Sequence, residues 1–129
     1  MWTFEVQTQR RVSFVDVTRD VAALVRDGGD GAAMVFVPHT TAGVTINEDA
    51  DPSVRADIEM ALERLVPHDL PFTHLEGNSD AHVKASLMGS SVLVPVRGGA
   101  LQLGTWQGIY FAEFDGPRRR RVLVTFLPA

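Results

Sequence analysis

The stretch from residue 34 to residue 54 constrains the fold more than any other part of the chain. Two short apolar runs there are each followed by a cluster of polar side chains, and a helix start follows the second cluster. The clusters comprise His39, Thr40 and Thr41, and then Asn47, Glu48, Asp49 and Asp51. Polar groups gathered where strands end and helices begin are typical of functional sites, although a polar loop with a helix cap would have the same composition.

Alternation and turn residues predict the remaining elements. Strands are predicted at residues 3–8, 12–17, 32–37, 43–48, 91–96, 101–103, 106–114 and 121–127. A short helix is predicted between Thr18 and Gly28, and a longer one over residues 52–66 with Asp51 as its N-cap. The order of strands and helices, ending in an antiparallel meander, predicts an α+β fold.

Two of the predicted helices have an assigned inner face. In the helix over residues 52–66, the apolar stripe comprises Val54, Ile58, Ala61, Leu62 and Leu65. In a third helix, over residues 81–88, Asp80 is the expected cap and Val83 and Leu87 are expected to point inward.

The composition excludes several classes of function. The net charge of −4 disfavours a general nucleic-acid-binding protein, and the basic run at 118–121 is expected to be a solvated turn or a subunit contact. The absence of cysteine excludes disulfides, thiolate metal sites and a cysteine nucleophile. Neither a signal-peptide pattern nor an apolar run of roughly 18 residues occurs. We therefore expect a single cytoplasmic domain over residues 1–129, without nucleic-acid or membrane partners.

Three of the four histidines are candidate metal ligands. His39 lies at a strand end, His74 in an irregular loop and His82 in the first turn of a helix. A catalytic zinc-type site needs three protein ligands and one open position, which these residues could supply. Their spacing does not establish such a site, and surface or hydrogen-bonding histidines are the alternative. His68 is expected to be a solvated loop residue.

Other polar residues also have two interpretations. Glu48, Asp49 and Asp51 could offer oxygens to Mg²⁺; alternatively, Asp51 is the helix cap and the other two are acids that the helix dipole favours. Asn78 lies in a tight turn that could approach a ligand closely. Trp106 and Gln107 lie between two glycines, where the indole could pack in the core or contact a ligand.

Three segments taken together resemble the YjbQ-like family, known as the secondary thiamine-phosphate synthase family. They are residues 39–54 (HTTAGVTINEDADPSV), 74–89 (HLEGNSDAHVKASLMG) and 103–118 (LGTWQGIYFAEFDGPR). The resemblance implies a mainly antiparallel sheet curled into a β-barrel with two or three helices packed on it, assembled as a homotrimer. It also implies a weak transferase activity, in which hydroxymethylpyrimidine diphosphate joins thiazole phosphate with release of pyrophosphate.

With this resemblance, the enzyme interpretation assigns a role to each candidate residue. His39, His74 and His82 would hold a divalent ion, zinc or magnesium, that stabilises the leaving pyrophosphate. Glu48, His39 and His82 are the catalytic candidates, with Glu48 as second ligand or general base. The residues expected to bind phosphate and substrate are Thr40, Thr41, Asn47, Asp51, Asn78, Trp106 and Gln107.

Two alternatives use the same residues. The chain could be a non-catalytic trimer that sequesters a phosphorylated metabolite or a metal. It could also be a metal-dependent hydrolase of another phosphorylated metabolite. Consumption of the ligand would separate an enzyme from a binding protein.

Overall fold

The structure, a computed structural model, describes residues 1–129 and contains three helices and eight strands. The strands are β1 Trp2–Gln7, β2 Ser13–Asp16, β3 Gly31–Phe36, β4 Ala42–Glu48, β5 Ser91–Arg97, β6 Ala100–Leu101, β7 Gln107–Glu113 and β8 Arg119–Pro128. The helices are α1 Thr18–Val25, α2 Pro52–Leu65 and α3 Ser79–Met88. The predicted α+β class and the predicted order of elements are confirmed.

The strands form two antiparallel sheets that together curl into a half-barrel. The larger sheet has the order β1-β8-β3-β5-β6, and the smaller has the order β2-β7-β4. The predicted C-terminal meander is wrong, because β7 and β8 lie in different sheets. Each of these two strands pairs with a neighbour on both edges: β7 lies between β2 and β4, and β8 lies between β1 and β3.

Two hydrophobic cores lie on opposite faces of the smaller sheet. Ile109 and Phe111 of β7 point into the main core, which also receives side chains from the larger sheet and from α1. Tyr110 and Ala112, the alternate residues of the same strand, point into a second core beneath α2 and α3. The alternation of a β-strand therefore supplies both cores from one central strand.

Helix α2 lies at the surface with its predicted cap in place. The Asp51 side chain accepts a hydrogen bond of 2.9 Å from the backbone N–H of Ser53, and Pro52 is the first helical residue. No residue of α2 is fully buried, and the predicted inner-face residues Ala61 and Leu65 are exposed. No helix of the structure is both long and apolar enough to cross a membrane.

Helix α3 buries a different face from the one predicted. It begins at Ser79, so Asp80 is a buried first-turn residue and not the cap. Val83 and Leu87 are exposed, while Lys84 is completely buried. Lys84 and Asp80 occupy the inner face because they form ion pairs there, and the prediction that Val83 and Leu87 point inward is wrong.

The C-terminal end of α3 is joined closely to the start of β4. The backbone N–H of Val44 donates to the carbonyl of Gly89 at 3.0 Å. A Cβ added to Gly43 would lie 2.5 Å from that same carbonyl oxygen, so only glycine allows this approach. The contact places His82 of α3 beside the residues that precede β4.

Candidate functional site

A cavity of about 420 Å³ gathers residues from four parts of the chain. They are Pro38, His39, Thr40 and Thr41 before β4, His74, Glu76 and Asn78 before α3, His82 of α3, and Asp115, Arg118 and Arg120 around the β7–β8 turn. We call this the histidine–arginine cavity. The structure thus brings together all three candidate histidines, although His39 precedes His74 by 35 positions and His82 by 43 positions in the sequence.

The His39 ring accepts a hydrogen bond from the backbone and is neutral. Its Nε2 accepts a hydrogen bond of 3.0 Å from the backbone N–H of Arg121, so in the neutral ring the proton is carried by Nδ1. Burial lowers the pKa of His39, and the positive charge of Arg120 lowers it further. At neutral pH, His39 is therefore a neutral ring in the lining of the cavity, with its N–H at Nδ1.

His74 and His82 lie against each other. Their ring centroids are 5.4 Å apart with the planes at 85°, an edge-to-face contact. Nε2 of His74 is 3.8 Å from a carboxylate oxygen of Glu76. No set of three His, Asp or Glu side chains is arranged to hold a metal ion in this structure, and Nε2 of His39 is occupied by Arg121. Of the three candidate histidines, His74 and His82 are thus in contact with each other, while His39 is engaged by the backbone of Arg121.

A buried ion pair forms part of the cavity wall. The Arg120 guanidinium donates to both carboxylate oxygens of Glu113, and it also donates to Oγ1 of Thr41 at 2.9 Å. Glu113 is completely buried and accepts a further bond of 2.8 Å from the Thr8 hydroxyl. The pair fixes a cationic group and a hydroxyl in one orientation before any ligand binds.

A second arginine is held at the cavity rim by Asp115. The Arg118 guanidinium donates to the backbone carbonyl of Asp115 at 2.8 Å and to its carboxylate at 3.2 Å. The same carboxylate oxygen accepts from the Asn78 side chain at 2.9 Å. Asn78, predicted to contact substrate, therefore links the start of α3 to the β7–β8 turn.

The other predicted site residues lie at the far end of β4. The strand has seven residues, which extend over about 20 Å, so Asn47 and Glu48 are far from Thr41. The structure does not bring Glu48 to the histidines. Across from Glu48, Gln107 accepts a hydrogen bond of 2.8 Å from the backbone N–H of Gly104, and the adjacent Trp106 is 62% exposed.

Sequence reasoning missed Glu113, Asp115, Arg118 and Arg120. The basic run at 118–121 is expected to be a solvated turn or a subunit contact, and Arg118, Arg119 and Arg121 are exposed, whereas Arg120 is buried. Arg119, 74% exposed, lies 3.6 Å from Glu5. A signal was present, because Arg120 shares the period-two face of β8 with Val122 and Val124, and all three are buried. An arginine on the inner face of a strand needs a buried partner, and Glu113 is that partner.

Fold and cavity together define a small α+β half-barrel protein with a polar cavity at one end of its smaller sheet. The chain belongs to the family described as "UPF0047 protein YjbQ-like", whose sequence profile matches residues 2–129. The resemblance noted from the three segments is thereby confirmed.

Relatives of known sequence and structure cover nearly the whole chain. A UPF0047 protein of Methanocaldococcus jannaschii is 50% identical over 98% of this chain and 94% of its own length. The UPF0047 protein YugU of Bacillus subtilis is 46% identical over 97% of both. The crystal structure of an uncharacterised YjbQ/UPF0047 protein of Clostridium acetobutylicum has a TM-score of 0.96 at 50% identity, covering 98% of this chain and 100% of that one. A hypothetical protein of Aeropyrum pernix has a TM-score of 0.93 at 40% identity, covering 99% and 98%.

Proposed function

We propose that the histidine–arginine cavity binds the phosphate group of a small molecule, and that the protein is an enzyme acting on that molecule. One observation carries the proposal: the guanidinium groups of Arg118 and Arg120 and the hydroxyl-bearing residues Thr40 and Thr41 line a single cavity. The neutral imidazole of His39 also lines this cavity, and the first turn of α3 borders the same space. Guanidinium groups, hydroxyls and helix N-termini are the groups that proteins use to bind phosphate.

The resemblance supplies a specific reaction for this site. It is the thiamine-phosphate-synthase-like transfer, in which the hydroxymethylpyrimidine group of a diphosphate ester is joined to a thiazole phosphate and pyrophosphate is released. The donors of the cavity would stabilise the developing charge on the leaving oxygens. Because Glu48 lies at the other end of β4, the catalytic candidates that remain in the cavity are His39 and His82, and the role proposed for His82 is that of a metal ligand.

Replacing Arg118 with glutamine should weaken the binding of inorganic pyrophosphate by about tenfold or more, because one charge-assisted contact is lost. The measurement is isothermal titration calorimetry at fixed ionic strength. Arg119→Gln is the matched control, because Arg119 is the next residue, is exposed, and does not line the cavity. Equal losses in the two variants would show that binding follows general surface charge, and the proposed site would then be wrong.

We also propose that a divalent ion, zinc or magnesium, is the cofactor. His74 and His82 are the pair that would hold it, because their rings are in contact. His39 would join them only after its Nε2 releases the Arg121 N–H. The imidazole rings supply suitable nitrogen donors, whereas the two arginines in the same wall disfavour a cation.

We expect His82→Ala to lose both the bound metal and turnover of the diphosphate substrate. Protein purified without chelator or affinity tag would be compared by elemental analysis with wild type, which is expected to hold about one ion per chain. His68→Ala is the control, since His68 lies outside the cavity. Retention of the metal together with full turnover in His82→Ala would contradict this proposal.

A non-catalytic binding protein is the second candidate. The observation that favours it is the distance of Glu48 from the histidines, which removes a predicted catalytic carboxylate from the cavity. A hydrolase of another phosphorylated metabolite would use the same donors. For either function the homotrimer remains a proposal, and exposed apolar side chains near α3, such as Leu75 and Leu87, are surfaces that such an assembly could cover.

A further inference from the structure

The histidine–arginine cavity is lined almost entirely by polar side chains. Pro38 is the only one of its eleven lining residues with an apolar side chain. The volume of about 420 Å³ lies in the range of small-molecule sites, roughly 300–1,000 Å³, and far exceeds the needs of a phosphate ion. The part of the ligand beyond its phosphate must therefore also be polar.

The adjoining cavity has a different character. It shares His74 and His82 with the histidine–arginine cavity and includes Phe72 and Val83 in its lining. An apolar or aromatic group would find its partners there and not in the histidine–arginine cavity. An apolar body placed in the latter would remove water from charged groups without replacing the lost hydrogen bonds, which is unfavourable.

Asp115 provides a fixed hydrogen-bond acceptor in the polar cavity. Its Oδ2 accepts from Asn78 at 2.9 Å and from Arg118 at 3.2 Å. These contacts fix the carboxylate, while its Oδ1 receives no hydrogen bond from the protein and the side chain is 20% exposed. At the rim, the exposed carboxylate of Glu76 is a second acceptor. A carboxylate repels phosphate but binds hydroxyl groups, so the two acceptors suit the hydroxyls of a ligand.

The geometry points to a hydroxyl-bearing phosphate ester, such as a polyol or sugar phosphate, as the ligand class of the histidine–arginine cavity. This inference rests on the phosphate site of the proposed function, and among the candidate reactions it favours the hydrolase of another phosphorylated metabolite over the thiamine-phosphate-synthase-like transfer, whose substrates have aromatic rings. The phosphate lies against Arg120, Thr41 and His39, and a hydroxyl group donates to Oδ1 of Asp115. The preference is for hydroxyl groups in the body of the ligand, over an aromatic or apolar body of similar size.

Three probes of graded chemistry test the inference by calorimetry: inorganic phosphate, glycerol 3-phosphate and phenyl phosphate. The two esters carry the same phosphate group and differ in whether the body bears hydroxyls or an apolar ring. Wild-type protein should bind glycerol 3-phosphate about tenfold more tightly than phenyl phosphate, the effect of a hydrogen bond to a charged acceptor.

The Asp115→Asn variant should reduce this preference to within about threefold, because the charged acceptor becomes neutral. The readout is the ratio of the two ester affinities within each variant, because Asp115 also holds Arg118 and its replacement changes the binding of the phosphate group common to both esters. Asp69→Asn is the matched control, since Asp69 is an exposed loop residue outside the cavity. An unchanged midpoint of urea unfolding shows that the variant is folded.

The outcomes separate the inference from the proposed function. Equal affinities of wild type for the two esters, with inorganic phosphate still bound, would overturn the inference and leave the phosphate site standing. An undiminished preference in Asp115→Asn would also overturn it. Failure of all three compounds to bind would overturn both.

Discussion

Replacing Glu113 with alanine is expected to lower the free energy of unfolding by about 3–5 kcal/mol, the cost of leaving a buried charge without its partner. Glu113 is completely buried, and the Arg120 side chain is 6% exposed. The carboxylate also accepts hydrogen bonds from the Thr8 hydroxyl and from the backbone N–H groups of Phe114 and Asp115. Its removal therefore leaves one cation and several donors unsatisfied in the interior.

The measurement is urea unfolding. The slope of the free energy against urea concentration should be the same in wild type and variant, which checks two-state behaviour. Glu5→Ala is the matched control, because Glu5 pairs with Arg119 on the same strand as Arg120, but at 3.6 Å and in solvent. That exposed pair should contribute less than about 1 kcal/mol. Similar losses for Glu113→Ala and Glu5→Ala would contradict the assignment of Glu113 as an essential buried counter-charge.

A double substitution separates the ion pair from the shape of the site. Glu113→Leu combined with Arg120→Met removes both charges, and it should recover a large part of the stability lost in Glu113→Ala. The double variant should nevertheless bind pyrophosphate poorly, because Arg120 lines the cavity. Stability would then depend on the balance of the two charges, whereas pyrophosphate binding would depend on the Arg120 guanidinium itself.

Local sequence signals were sufficient for elements whose chemistry is local. Asp51 followed by Pro52 predicted the start of α2 correctly, because a cap and a first-turn proline act within three residues of the helix end. The same reasoning failed for α3, where Asp80 was predicted as the cap. Asp80 is instead buried by contacts with Arg11 and His68, which lie far away in the sequence or across a loop. A cap is a local feature, whereas a buried ion pair depends on tertiary packing.

The arrangement of strands could not be predicted from turn signals. The sequence Asp115-Gly116-Pro117 marks a turn between β7 and β8 correctly, but a turn does not state which sheet the next strand joins. The choice is made by long-range pairing, in which Val124 of β8 lies between Trp2 of β1 and Val35 of β3. A sequence pattern of period two contains no information about those partners.

The candidate site was only partly predictable for the same reason. His39, His74 and His82 could be grouped through the resemblance, and the structure places all three around one cavity. Glu48 was grouped with them because it follows closely in the sequence, yet an extended strand carries it away from the cavity. Arg120 was missed because a run of four arginines resembles a solvated turn, although the strand alternation turns this one inward.

Lys84→Met is expected to lower the free energy of unfolding by about 2–3 kcal/mol at neutral pH. Lys84 is the only lysine of the chain and is completely buried, and its ammonium group donates to Glu63 and, at 3.4 Å, to Asp80. The loss should be smaller than for Glu113→Ala, because buried Asp80 keeps its contacts of 3.1 Å with Arg11 and His68. Arg64→Met is the control, since Arg64 is exposed on α2 and its loss should change stability by less than about 0.5 kcal/mol.

The pH dependence of unfolding tests whether Lys84 stabilises the fold through its charge. The hydrogen bond from Lys84 lowers the pKa of Glu63, although burial opposes it. Burial raises the pKa of Asp80, but the hydrogen bonds from His68 and Arg11 and the charge of Lys84 outweigh it, so this pKa is also lowered. A carboxylate with a lowered pKa in the folded state contributes stability above its unfolded pKa, about 4, and loses it as the pH falls through the folded value. The difference in stability between wild type and Lys84→Met should therefore be constant near pH 7 and shrink below about pH 4. A difference that stays constant into acid would show that Lys84 stabilises α3 through the packing of its methylene groups and not through its charge.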